Sequence, residues 1–82
     1  MLYTKEELEM AEKNGTIDDL YGEIVHYRLR KPYPQPVMEA TVNNFLSDPD
    51  NAQYKADFVA MQECRAKIKA EVKEEIKAVL YG

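Results

Sequence analysis

One cysteine and one histidine among 82 residues remove several chemistries at once. Cys64 has no second cysteine for an internal disulfide, and a single thiolate with a single imidazole is too few for the usual structural zinc site. Three scattered glycines leave no glycine-rich phosphate loop. No run of eighteen apolar residues is present to cross a bilayer, and Met1-Leu2-Tyr3-Thr4-Lys5-Glu6-Glu7 turns acidic where a secretory signal would turn apolar. These absences predict a cytoplasmic, unprocessed protein with no membrane partner. An excess of positive charge is missing too. The net charge of -4 argues against a chain that grips nucleic acid with its whole surface, although local basic patches remain.

What is present reads as a folded globule. Apolar residues make up 45% of the chain and charged residues 32%, more aliphatic and aromatic content than a disordered tail carries. The length allows one domain, residues 1–82. A chain this short buries only about 60% of the surface exposed on unfolding, so its stability margin is thin and self-association is a natural remedy.

The pattern predicts an all-α fold in which three short helices pack on one long C-terminal amphipathic helix. Thr4 and Glu7 form the S/T-x-x-E capping box, and Asn14-Gly15 supplies a left-handed stop, giving a first helix over 5–13. Thr16 and Asp19 repeat the capping pattern, and Ile17, Leu20, Tyr21, Ile24 and Tyr27 recur at helical steps, giving a second helix over 17–30. The run 23–30 is also rich in β-formers, and Gly22 weakens a helix by about 1 kcal/mol, so a strand competes there. Pro32, Pro34 and Pro36 predict a stiff, polyproline-like connector over 31–36 with Tyr33 as a plug; the P-x-x-P spacing of peptide-docking grooves is absent. Val37, Met38, Thr41, Val42, Phe45 and Leu46 mark a third helix over 36–47. Ser47 or Asp48 as cap and Pro49 in the first turn predict a fourth helix over 49–81.

That last helix sorts into rows. Cys64, Ile68, Val72, Ile76 and Leu80 form an apolar row, Arg65, Lys69, Lys73 and Lys77 a basic one, and Glu63, Lys67, Glu71 and Glu75 a mainly acidic one. About thirty residues at 1.5 Å each span roughly 45 Å. A compact domain of this size has a radius of gyration near 12 Å, hence a diameter of roughly 30 Å. An unbroken helix therefore overhangs. With the short helices expected on its first and middle parts, the surplus seam is Ile68, Val72, Ile76, Val79 and Leu80, with Arg65 and Glu75 setting register across an interface.

Constellations for catalysis are weak. Glu23-Ile24-Val25-His26 gives one E-x-x-H step, where carboxylate-bridged di-metal bundles need two and further glutamates. Cys64 sits in an apolar row and reads as a small buried hydrophobe. No catalytic, cofactor or metal residue is assigned, and an enzyme is the class with least support. The function expected is a non-enzymatic protein–protein interaction module or small regulator that self-associates as a homodimer, or docks on another protein, through the seam. The alternative is a nucleic-acid-associated regulator using Tyr27, Arg28, Arg30, Lys31 and Tyr33 with Arg65, Lys69, Lys73 and Lys77, a mixture of cations and aromatics suited to phosphates and exposed bases.

Overall fold

The computed structural model of the chain describes residues 3–82. It contains four α-helices, α1 (Lys5–Asn14), α2 (Ile17–Leu29), α3 (Gln35–Ser47) and α4 (Ala52–Tyr81), and among the described residues no strand.

Local chemistry sets the ends of α1 as expected. Thr4 Oγ1 accepts from the Glu7 N–H while the Glu7 carboxylate accepts from the Thr4 N–H, both at 3.2 Å. At the other end Gly15 adopts φ 76°, which costs a residue without Cβ nothing. Its N–H then reaches Glu12 O and the Thr16 N–H reaches Ala11 O, closing a Schellman turn.

Three junctions depart from expectation. Thr16 does not cap α2 with its side chain, because its hydroxyl donates back to Ala11 O at 3.4 Å. The connector after α2 is a tight turn rather than an extended spacer. The Tyr33 N–H donates to Leu29 O at 2.9 Å, and Pro34, with φ −57° and ψ 156°, directly precedes α3. Finally, α4 begins at Ala52 rather than at residue 49. Asp48 O accepts from the Asn51 N–H, leaving Pro49 inside a turn, and the Asn51 side chain caps the helix by accepting from the N–H groups of Gln53 and Tyr54 at 3.0 and 3.1 Å.

Residues 23–29 are helical, so packing overrides their β propensity: Ile24, Val25 and Leu29 are buried. The core lies between α2 and the far end of α4. Ile24, Val25, Val72 and Ile76 pack together, with Tyr3, Ile17, Tyr21, Ile68 and Leu80 partly buried around them. α1 adds the buried Leu8 and Ala11 and packs on both α2 and α4. Burying a side chain of this size contributes about 1.5–3 kcal/mol.

α4 runs 30 residues without interruption and sets the length of the molecule, 46 Å against 20 and 19 Å across. The radius of gyration, 15.6 Å, exceeds the roughly 12 Å of a compact chain this long. The overhang is therefore real, but it lies at the opposite end from that expected. α1 and α2 cover the C-terminal half of α4, and α3 lies along the first half, where Phe45 stacks on Phe58.

Candidate functional site

The expected seam is largely spent inside the monomer. Val72 is fully buried and Ile76 is 8% exposed, both under α2, while Ile68, Val79 and Leu80 are half-buried. The expectation of a free C-terminal surface is thus corrected. The cause is topological: the two-residue turn after α1 keeps α2 beside it, and the pair lands together on the last turns of α4.

Arg65 and Glu75, expected to set register across an interface, lie apart on α4, and within the chain Glu75 has another partner. Glu75 accepts from Arg28, an α2–α4 bridge whose side chains remain 28% (Arg28) and 46% (Glu75) exposed. The Arg28 hydrogen bond lowers the Glu75 carboxyl below its ordinary range. Arg65 lies exposed further along α4, one turn before Lys69.

The basic residues do not merge into one patch. Arg28 faces the carboxylates of Glu71, Glu74 and Glu75 along one side of the α2–α4 contact. Lys73 and Lys77 line a separate depression with Asp18 and Tyr21, and Lys77 approaches Glu74 at 4.0 Å. Arg30 Nη2 stands 3.1 Å from His26 Nε2, Lys31 is exposed, Tyr27 is 62% exposed and Tyr33 is half-buried. In the Glu23–His26 step, Glu23 accepts from the Tyr3 hydroxyl and His26 lies against Arg30. No group of three or more His, Cys, Asp or Glu side chains stands together to hold a metal among the described residues.

Two surfaces remain. The first is the α3 half. α3 buries no residue fully and packs on α4 alone, through half-buried Met38, Val42 and Phe45, with the Phe45 and Phe58 rings stacked 4.5 Å apart. Val37 and Leu46 on α3 and Val59 on α4 are left 45%, 69% and 43% exposed.

The second is a cleft of about 390 Å³ where α2 and α3 diverge over α4. No Cα of one helix comes within 8 Å of a Cα of the other. Val25 and Leu29 line one wall, Met38 and Val42 the other, and Arg65 and Lys69 lie along the α4 floor. Tyr21 enters at one end, its hydroxyl donating to Lys69 O at 3.1 Å. Sequence reasoning missed that half-buried Met38 and Val42 line a cleft beside the buried Val25 and Leu29. The signal was the four-residue link between α3 and α4, which forces α3 back along the first half of α4 as an antiparallel neighbour and keeps it away from α2.

Comparison with protein-family models, with curated proteins and with solved structures finds no match to this chain. Among the described residues, no helix is long and apolar enough to cross a membrane.

Proposed function

We propose that the chain is a non-enzymatic protein–protein interaction module that self-associates as a homodimer through its α3 half. The observation that carries this reading is that α3 rests on one helix only and buries none of its residues, while Val37, Leu46 and Val59 remain in water. A second copy laid along the Leu46 side of α3 supplies a further layer there, while Val37, nine residues earlier, lies on the other side of the helix. This keeps the long helix as the shared element and moves the shared surface from its last turns to its first half. Charge supports the choice, since the only charged residue within α3 is Glu39, whereas the C-terminal half of α4, residues 67–81, carries seven.

Static light scattering across concentration tests the proposal. The mass is expected to rise from 9.5 kDa toward twice that value, and Leu46→Asp is expected to hold it at the monomer with helicity unchanged. A mass fixed at 9.5 kDa at every concentration removes the reading.

A further inference from the structure

We propose that Asn14 is a site of spontaneous deamidation, timed by the opening of the last turn of α1, and that its product loosens α1 from the core. The surface proposed for self-association plays no part in it. Asn14 is the exposed last residue of α1, and Gly15 follows it with open space around the place a Cβ would take. Glycine is the most permissive residue for this reaction, because no side chain crowds its nitrogen as that nitrogen approaches the asparagine side-chain carbonyl.

The chemistry balances with water alone. Gly15 N gives up its proton to solvent and bonds to Asn14 Cγ, the Cγ–Nδ2 bond breaks, and Nδ2 takes a proton and leaves as ammonia, closing a cyclic imide. Water then adds at one of the two imide carbonyls. Ring opening yields aspartate, or isoaspartate in which the main chain runs through the former side-chain carbon. Either product replaces a neutral side chain with a carboxylate and makes the net charge of -4 one unit more negative.

The folded turn holds the reaction back. The Gly15 N–H donates to Glu12 O at 3.2 Å, and Asn14 keeps helical geometry, in which the following nitrogen does not line up with the side-chain carbonyl. Attack therefore waits for the last turn of α1 to open. A ten-residue helix is marginal by itself, and α1 is held by the buried Leu8 and Ala11 and by the Tyr81 hydroxyl on Glu12. The other three asparagines lack this arrangement. Asn43 and Asn44 lie inside α3, Asn51 engages its side-chain oxygen with the N–H groups of Gln53 and Tyr54, and each precedes a residue that carries a Cβ.

The product strikes the turn that keeps α1 beside α2. A carboxylate there meets the negative end of the α1 dipole. Isoaspartate also adds a methylene to the main chain just where the Gly15 and Thr16 N–H groups must reach Glu12 O and Ala11 O. Leu8 and Ala11 depend on that docking for their burial.

Incubation of the full chain at neutral pH, followed by peptide mass mapping, reads all four asparagines at once. Asn14 is expected to convert to a mixture of aspartate and isoaspartate faster than Asn43, Asn44 and Asn51. In denaturing urea its rate should rise by about tenfold or more. Thr4→Ala removes the capping box of α1 at an exposed position, and circular dichroism checks that the fold is kept. It should speed Asn14 in the native chain by roughly fivefold and leave the other asparagines unchanged. Asn14→Gln, whose longer side chain closes an imide far more slowly, should stop the reaction. The converted chain, separated by its added negative charge, should exchange the amide protons of Leu8 and Ala11 faster than the parent. The proposal is overturned by conversion of Asn14 no faster than that of the other asparagines, by equal rates in native and denatured chain, by indifference to Thr4→Ala, or by unchanged exchange of α1 in the isolated product.

Discussion

The two halves of α4 carry the same apolar periodicity under very different cover. Its C-terminal half lies beneath α1 and α2, where Leu8, Ile24, Val25, Val72 and Ile76 are all sealed from water. Its first half carries α3, and there Met61 is the one buried residue of α4. A repeat of apolar residues at helical spacing tells which side of a helix is covered; how many neighbours cover it depends on where the turns send the chain. The same helix is thus the centre of a three-helix core at one end and half of a two-helix hairpin at the other.

Core substitutions give the largest test of that contrast. Ile24→Ala is expected to cost about 2–5 kcal/mol in thermal or denaturant unfolding, the usual cost of a buried aliphatic truncation. Val42→Ala, on half-buried α3, should cost under about 1 kcal/mol, because neighbouring side chains and water can take up the space. Equal costs would dissolve the distinction between the halves. Amide hydrogen exchange sharpens it next: protons of α3 should exchange on the order of tenfold or more faster than those of α2 around Ile24 and Val25. Protection of α3 that matches α2 at low concentration would show a single cooperative unit.

These contrasts also show what could be read beforehand. The caps at Thr4 and Gly15, the four helices and the unbroken course of α4 were legible, because each depends on residues close in sequence. The placement of cover was not. Val72 and Phe58 look alike in a periodic stripe, and their different burial comes from the routes taken at Gly15-Thr16 and at 48–51. The Arg28–Glu75 bridge was equally hidden, since 47 residues separate its partners. The start of α4 misled for a local reason. Asp48-Pro49 is an acceptable helix opening, but Asn51 holds the cap through two hydrogen bonds.

Smaller effects refine the well-covered half. Gly22 lies within α2, exposed, with nothing within 4 Å of the place a Cβ would take. Gly22→Ala is accordingly expected to raise stability by about 0.4–1 kcal/mol, measured by urea unfolding. A loss would reveal a need for backbone freedom at that point. Smallest of all is Glu75→Gln. A partly exposed pair such as Arg28–Glu75 contributes about 0.2–1 kcal/mol, reduced further by salt. Because the folded carboxyl is depressed, that contribution is present above the ordinary carboxylate pKa and fades as pH falls through the folded value. Glu75→Gln should therefore flatten the acid side of the stability profile, below about pH 4, and leave the neutral side almost parallel to that of the parent.

The 46 Å by 20 Å outline set by α4 bears on how the chain moves through a solvent. A body more than twice as long as it is wide meets extra frictional drag and tumbles slowly about its short axes. On a gel-filtration column calibrated with round standards, a single copy will elute early and pass for something heavier. A second copy laid side by side at the α3 end would thicken the rod and make it rounder for its mass. Dimerisation would then change the elution position less than the doubled mass implies, while the frictional ratio falls.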